Sequence, residues 1–150
     1  MIIRTGTHAD LDEWLRLRQA LWSDCPEERH RLEMLEILTN PQTLAIFVAE
    51  NNSSGLDGFL EASLRKYADG CDTSPVGYIE GWYVERRRRR QGLGGELVRC
   101  AEAWARQQGC REMASDCLIR NRTSLAAHLA LGYAEAERLI HFRKELNDLG

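Results

Sequence analysis

Gly81 to Gly95 reads GWYVERRRRRQGLGG, and no other stretch restricts the fold as tightly. An apolar strand closes at Val84. Five arginines, Arg86 to Arg90, come next. Gln91-Gly92-Leu93-Gly94-Gly95 then opens a helix predicted from about Leu93 to Gln108. Strand, glycine turn and helix start together form a nest of backbone N–H groups. Glycines let the chain close around an anion, and the helix dipole adds partial positive charge. Five arginines alone would more often be a solvated turn. The glycines and the strand–helix frame make a phosphate-bearing ligand the better reading. Gly-x-Gly-x-x-Gly and Gly-Lys-Ser/Thr are both absent, which sets aside a dinucleotide fold and a P-loop.

A chain of 150 residues is expected to form one domain spanning 1–150. The net charge is −3 although Arg86 to Arg90 supply five positive charges, so the rest of the chain is acidic. A local cationic turn in an acidic body suits an anionic ligand at the turn and a cationic partner elsewhere. It argues against nucleic acid, whose phosphates need a broad basic surface. The five cysteines, Cys25, Cys71, Cys100, Cys110 and Cys117, contain no Cys-x-x-Cys. They read as reduced thiols, with no metal site expected. The N-terminus becomes charged too early for a signal peptide, and no apolar run approaches ~18 residues. A cytoplasmic protein with no membrane partner is expected.

Residues 2–5 should form a sheet edge. Thr7-His8-Ala9-Asp10 has the form of a capping box. Leu11, Trp14, Leu15, Leu21 and Trp22 then recur at helical spacing, giving a helix over about 8–22. Pro26 starts a second helix over about 27–39, with Leu32, Leu35 and Leu38 on its apolar face. Strands are predicted over 44–50, 58–65, 76–84 and 111–117. Asn51 to Gly55 is a turn and Tyr67 to Pro75 a loop. Asn121 caps a helix running to Leu131, and Gly132 ends it. Leu139 to Lys144 reads as a terminal strand. The fold class is mixed α/β, with a mostly antiparallel central sheet flanked by helices.

Arg89-Arg90-Gln91-Gly92-Leu93-Gly94, five residues after Val84, resembles the Arg/Gln-x-x-Gly-x-Gly/Ala signature of the GCN5-related N-acetyltransferases (GNAT). The order of elements is similar over essentially the whole chain. Four further stretches resemble the aminoglycoside 6′-N-acetyltransferases within that superfamily. They are Tyr67 to Val76, Tyr78 to Val84, Cys110 to Asp116, and His128-Leu129-Ala130-Leu131-Gly132-Tyr133. The resemblance implies the GNAT acyl-CoA N-acyltransferase fold. It implies acetyl-CoA as co-substrate, with transfer to the 6′-amino group of an aminoglycoside by direct attack in a ternary complex. A homodimer with terminal strands at its interface is also implied, and Leu139 to Lys144 would serve there.

Acetyl transfer needs an anchored donor, a deprotonated amine, a stabilised carbonyl oxygen and a protonated leaving thiolate. The backbone N–H groups of Gln91, Gly92, Leu93, Gly94 and Gly95 are placed to hold pyrophosphate, with Arg89 and Arg90 adding charge. By resemblance Tyr83, Val84 and Asn121 join the cofactor contacts, and the Val84 N–H serves the oxyanion. Strict alternation along the strand puts Glu80 on one face with Tyr78, Trp82 and Val84. Glu80 could take the amine's proton through water or bind an ammonium group; otherwise it is a surface acid opposite a basic neighbour. The family's acceptor-binding acid matches Asp116. Trp22 and Tyr67 could wall a sugar ring, and Asp69 and Asp72 could select a polycation. Plainer roles for these are core packing for Trp22 and solvation for the loop acids. His128 stands where many superfamily members carry the tyrosine acid. Phe142 stands where a second tyrosine is familiar in these enzymes, and it has no proton to give.

Two other readings compete. One keeps the enzyme class but changes the acceptor to a polyamine, a peptide N-terminus or another small amine. The other is a non-catalytic nucleic-acid module built on Arg86 to Arg90, opposed by the acidic remainder.

Overall fold

The computed structural model describes residues 1–147. Its elements follow the chain as β1 (Ile2–Thr5), α1 (Leu11–Leu21), α2 (Glu27–Thr39), β2 (Leu44–Glu50), β3 (Leu56–Arg65), β4 (Val76–Val84), α3 (Leu93–Gln107), β5 (Met113–Ser115) and α4 (Arg122–Ala130). The five strands lie in the order β1-β2-β3-β4-β5. The first four pair antiparallel, and β5 joins β4 in parallel. The sheet is therefore mixed and mostly antiparallel, as expected. The chain divides after Asp116 into two compact units.

Hairpin geometry explains why the sheet forms in sequence order. The turn over 51–55 and the longer loop over 66–75 bring β3 and then β4 back, each beside its predecessor. Adjacent residues of β3 then serve opposite layers. Phe59 packs with Trp14, Leu17, Met34, Ile46 and Val48 in a core under α1 and α2. Gly58 faces the other way, where a Cβ would lie 3.3 Å from Leu97 of α3. From α3, Leu93, Leu97, Val98, Ala101 and Ala105 are buried.

Several boundaries and faces differ from expectation. The capping box at Thr7 and Asp10 is present, but it caps a 3₁₀ turn, His8–Asp10, ahead of α1. In α2, Leu32 and Leu35 are exposed, and the buried residues are His30 and Met34. The helix is turned because His30 enters a buried ionic cluster with Arg18, which the leucine count does not register. The strand expected over 111–117 shortens to Met113–Ser115. The terminal strand expected over Leu139 to Lys144 is absent. Residues 133–147 have no regular structure, and Leu139, Ile140 and Phe142 are exposed. A strand needs a neighbour to pair with, and among the described residues this segment has none.

Candidate active site

The glycine turn sits where β4 hands over to α3. A 3₁₀ turn, Arg86–Arg88, follows the strand; Arg90 (φ 64°) and Gly92 (φ 82°) then adopt left-handed backbone. Gly92 is the N-cap of α3 and no side chain caps it. The first amides of a helix have no intrahelical acceptor, so this end offers uncapped N–H groups and positive dipole charge. A Cβ at Gly92 would meet nothing within 4 Å, so the glycine faces open space. These features fit a pyrophosphate.

Gly94 has a different reason. Its Cβ would approach Trp82 of β4 to 3.1 Å, so its smallness lets α3 close on the sheet. Gly92 is therefore the cleaner probe of the nest. Gly92→Val is expected to raise the KM for acetyl-CoA about tenfold while leaving the acceptor KM unchanged, because a left-handed L residue costs about 1–2 kcal/mol and its side chain enters the anion's space. Unaltered cofactor affinity in an equilibrium titration would remove the nest.

The arginines divide by role. Arg88 Nε lies 3.1 Å and Arg87 Nη2 3.6 Å from the buried Asp57 carboxylate, which ties the turn to the start of β3. Asn51 Nδ2 donates to the same Asp57 at 3.0 Å. Arg89 spends its Nε on the Val84 carbonyl at 2.8 Å and lies 5.5 Å from the centre of the Tyr83 ring. Arg89 thus braces the strand end before any phosphate contact.

The Glu85 N–H donates to the Asp57 carbonyl at 2.8 Å. Antiparallel bonding alternates, so the next pair, Gly58 and Val84, turns its polar groups outward. The Val84 N–H therefore points to the far edge of β4, the side on which its carbonyl meets Arg89. β5 pairs β4 only at Gly77, Tyr78 and Ile79 and has left that edge by Val84. This is the splayed geometry an oxyanion donor needs.

Strict alternation along β4 fails. The register passes from Ala62↔Ile79 to Glu61↔Gly81, leaving Glu80 as the extra residue of a β-bulge. A bulge reverses the faces beyond it. Gly81 and Tyr83 consequently face α1, where a Cβ on Gly81 would lie 2.3 Å from the Trp22 ring and Tyr83 approaches Phe59. Trp82 faces α3 instead. Glu80 remains beside Tyr78 but no longer shares a face with Trp82 and Val84.

Glu80 is exposed and opposite a basic neighbour. Its Oε2 accepts from Ser63 Oγ and from Arg65 Nε at 3.0 Å, and its Oε1 accepts from Arg65 Nη2 at 2.8 Å. The Tyr78 hydroxyl donates to Asp116 Oδ2. Burial first, then the hydrogen bond to Asp116, push the Tyr78 phenol well above its ordinary pKa, so it stays a proton donor to that carboxylate. Ala68, from the loop over 67–75, packs on Tyr78 and Val76. The loop is anchored by Glu112, which accepts from the backbone N–H of Asp72 at 2.9 Å and of Thr73 at 2.8 Å. Exposed Tyr67 donates to Asp69 at 3.0 Å. Trp22 is half-buried: it packs on the core and also walls the strand at Gly81.

The structure thus brings Trp22, Glu80 and Asp116 around the middle of β4, from Tyr78 to Gly81, and adds Arg65, Tyr78 and Ser63, which sequence reasoning missed. Period-two spacing of Glu61, Ser63 and Arg65 on β3 was the available signal. The second unit carries Asn121 and His128. Asn121 Oδ1 accepts from the Ser124 N–H at 3.1 Å, capping α4. His128 Nδ1 lies 2.7 Å from the Ser124 carbonyl oxygen and 3.3 Å from Ser124 Oγ. Its ring meets Tyr133 edge-on, with centroids 5.8 Å apart. Among the described residues no cluster of His, Cys, Asp or Glu is placed to hold a metal.

The acetyltransferase (GNAT) family model matches residues 12–133. The chain belongs to that family. It is 46% identical over 140 residues to an aminoglycoside N(6′)-acetyltransferase type 1 of Serratia marcescens, covering 93% of this chain and 95% of the relative. A protein of the same name from Klebsiella aerogenes is 40% identical, with 97% of each chain covered. The solved structure of AAC(6′)-Iy with the bisubstrate analogue CoA-S-monomethyl-acetylneamine superimposes with a TM-score of 0.91 at 38% identity. It covers 97% of this chain and 98% of that one. GNAT membership carries acetyl-CoA-dependent acyl transfer with it, and the uncapped glycine turn suits that co-substrate.

Proposed function

We propose that this acetyltransferase acts on the 6′-amino group of aminoglycosides and thereby confers resistance to them. The observation that carries the reading is the pair of carboxylates, Glu80 and Asp116, gathered around Tyr78 on the strand that leads into the cofactor turn. A polycationic acceptor fits two acids beside aromatic walls. The high identity to the aminoglycoside relatives supports the same acceptor class.

Acetyl-CoA supplies the acetyl group as an activated thioester. The amides of Gln91 to Gly95 would hold its pyrophosphate, with Arg90 and the remaining donors of Arg89 adding charge. Tyr83 and Asn121 would complete its contacts. The Val84 N–H would receive the carbonyl oxygen as that oxygen gains charge. Glu80 would take the amine's proton through water while Asp116 holds the acceptor. His128 would donate a proton to the departing thiolate. Trp22, Tyr67, Asp69 and Asp72 would frame the sugar.

The chain would act as a homodimer in the cytoplasm. Five free cysteines suit a reducing compartment. Among the described residues, no helix is long and apolar enough to cross a membrane. Exposed Leu139, Ile140 and Phe142 are side chains that a second copy would cover. Sedimentation equilibrium of the full chain decides this, a monomer at micromolar concentration discarding it.

A thiol-release assay with kanamycin and tobramycin, followed by identification of the acetylated nitrogen, tests the substrate. Turnover with acetylation at the 6′ nitrogen is expected. Acetyl-CoA binding without turnover of either drug would overturn the assignment and return the acceptor to the other amines.

A further inference from the structure

The acceptor side of the site already holds a cation. Arg65, the last residue of β3, gives two N–H groups to Glu80 and sets its Cζ 3.5 Å from the centre of the Tyr78 ring. Tyr78 in turn is hydrogen-bonded to Asp116. The guanidinium is held above its ordinary pKa, chiefly by its hydrogen bonds to Glu80. A carboxylate pair around an aromatic face is the kind of setting that recognises ammonium ligands. Here the chain's own guanidinium fills it.

We propose that Arg65 is an internal stand-in for the acceptor's ammonium group, displaced on binding, and that it thereby sets which amines the site accepts. This rests on the reading of Glu80 and Asp116 as the acceptor-facing acids. The arrangement suits exchange. The Arg65 and Glu80 side chains are 43% and 36% exposed, so their ion pair is a weak, solvent-screened one. Ser63, hydrogen-bonded to Glu80, keeps the carboxylate oriented when the guanidinium leaves. A monoamine gains little, since it replaces one cation with another. A polycation brings one charge for Glu80 and a second for Asp116. Arg65 therefore handicaps weakly charged amines more than highly charged ones.

Calorimetry of tobramycin and of spermidine against the full chain, with CoA bound to prevent turnover, tests this. Arg65→Gln is expected to tighten both polycations by up to about five-fold, the ceiling for an exposed ion pair. Arg65→Lys, which keeps the charge, should stay near wild type. Equal or weaker binding of both probes to a folded Arg65→Gln variant overturns the proposal, because Arg65 would then be holding Glu80 for the substrate. In the wild-type chain the ¹⁵N resonance of Arg65 Nε should move toward that of a free arginine at saturating tobramycin or spermidine. A resonance unmoved by a probe that binds also overturns it. Spermidine tightening in Arg65→Gln while tobramycin binds neither protein would leave this proposal standing and remove the aminoglycoside reading.

Discussion

Arg18→Ala should unfold this protein about 10 °C earlier than wild type. Arg18 on α1 is 3% exposed, and so is Glu61 on β3. Their contact is bidentate: Arg18 Nε donates to Glu61 Oε2 at 2.7 Å and Nη2 to Oε1 at 3.0 Å. Trp14 Nε1 donates to Oε2 at 2.8 Å. Arg18 also reaches Glu33 at 3.1 Å and His30 Nδ1 at 3.0 Å. Removing the guanidinium leaves Glu61 charged, buried and held only by an indole. Breaking a buried pair from one side costs about 3–5 kcal/mol, and at this chain length each kcal/mol lowers Tm by roughly 2–4 °C. Arg18→Met with Glu61→Leu is the control, because replacing both charges by apolar groups is often neutral. A single variant that melts within about 2 °C of wild type would show the cluster to be dispensable. The cluster also reaches the site: the Arg18 guanidinium lies 4.8 Å from the Trp22 ring, and His30 stacks on it. Arg18→Ala should therefore also raise the acceptor KM in the fraction that remains folded.

What was legible in advance divides by the range of the interactions. The Thr7 cap, the positions of β2 to β4 along the chain and the Gly92 turn depend on residues a few positions apart, so local chemistry specifies them. Arg18 and Glu61 lie 43 residues apart, and Arg65 and Glu80 lie 15 apart across a hairpin. The packing of α1 on β3 joins the first pair, and the register of β3 on β4 joins the second. The bulge at Glu80 is a property of that pairing, and nothing within Tyr78 to Val84 announces it. It moved Trp82 to the α3 face and left Gly81 under Trp22. Apolar periodicity likewise chose Leu32 and Leu35 for the core of α2. The fold buries His30 there, because Arg18 offers its ring nitrogen a partner.

Glu80→Gln is expected to lower kcat by at least about a hundredfold, the lower range for removing a positioned proton acceptor. The acetyl-CoA KM should not change, because the amides proposed to hold the cofactor lie beyond Val84. The substitution keeps the shape of the side chain and can keep one bond to Ser63, so the loss isolates the charge. A carboxylate has about four acceptor positions. Three are taken, by Ser63 and by two N–H groups of Arg65. Departure of Arg65 would open two more for an incoming ammonium group and its water. Glutamine offers a single accepting oxygen and no negative charge, and so can neither hold nor deprotonate that ammonium. The double variant with Arg65→Gln separates the steps. If Glu80 matters only as the partner of Arg65, removing both recovers turnover. If Glu80 takes the proton, the double variant stays as slow as Glu80→Gln alone. Unchanged turnover in the single variant would exclude Glu80 from the chemistry and leave Asp116 as the acid to test.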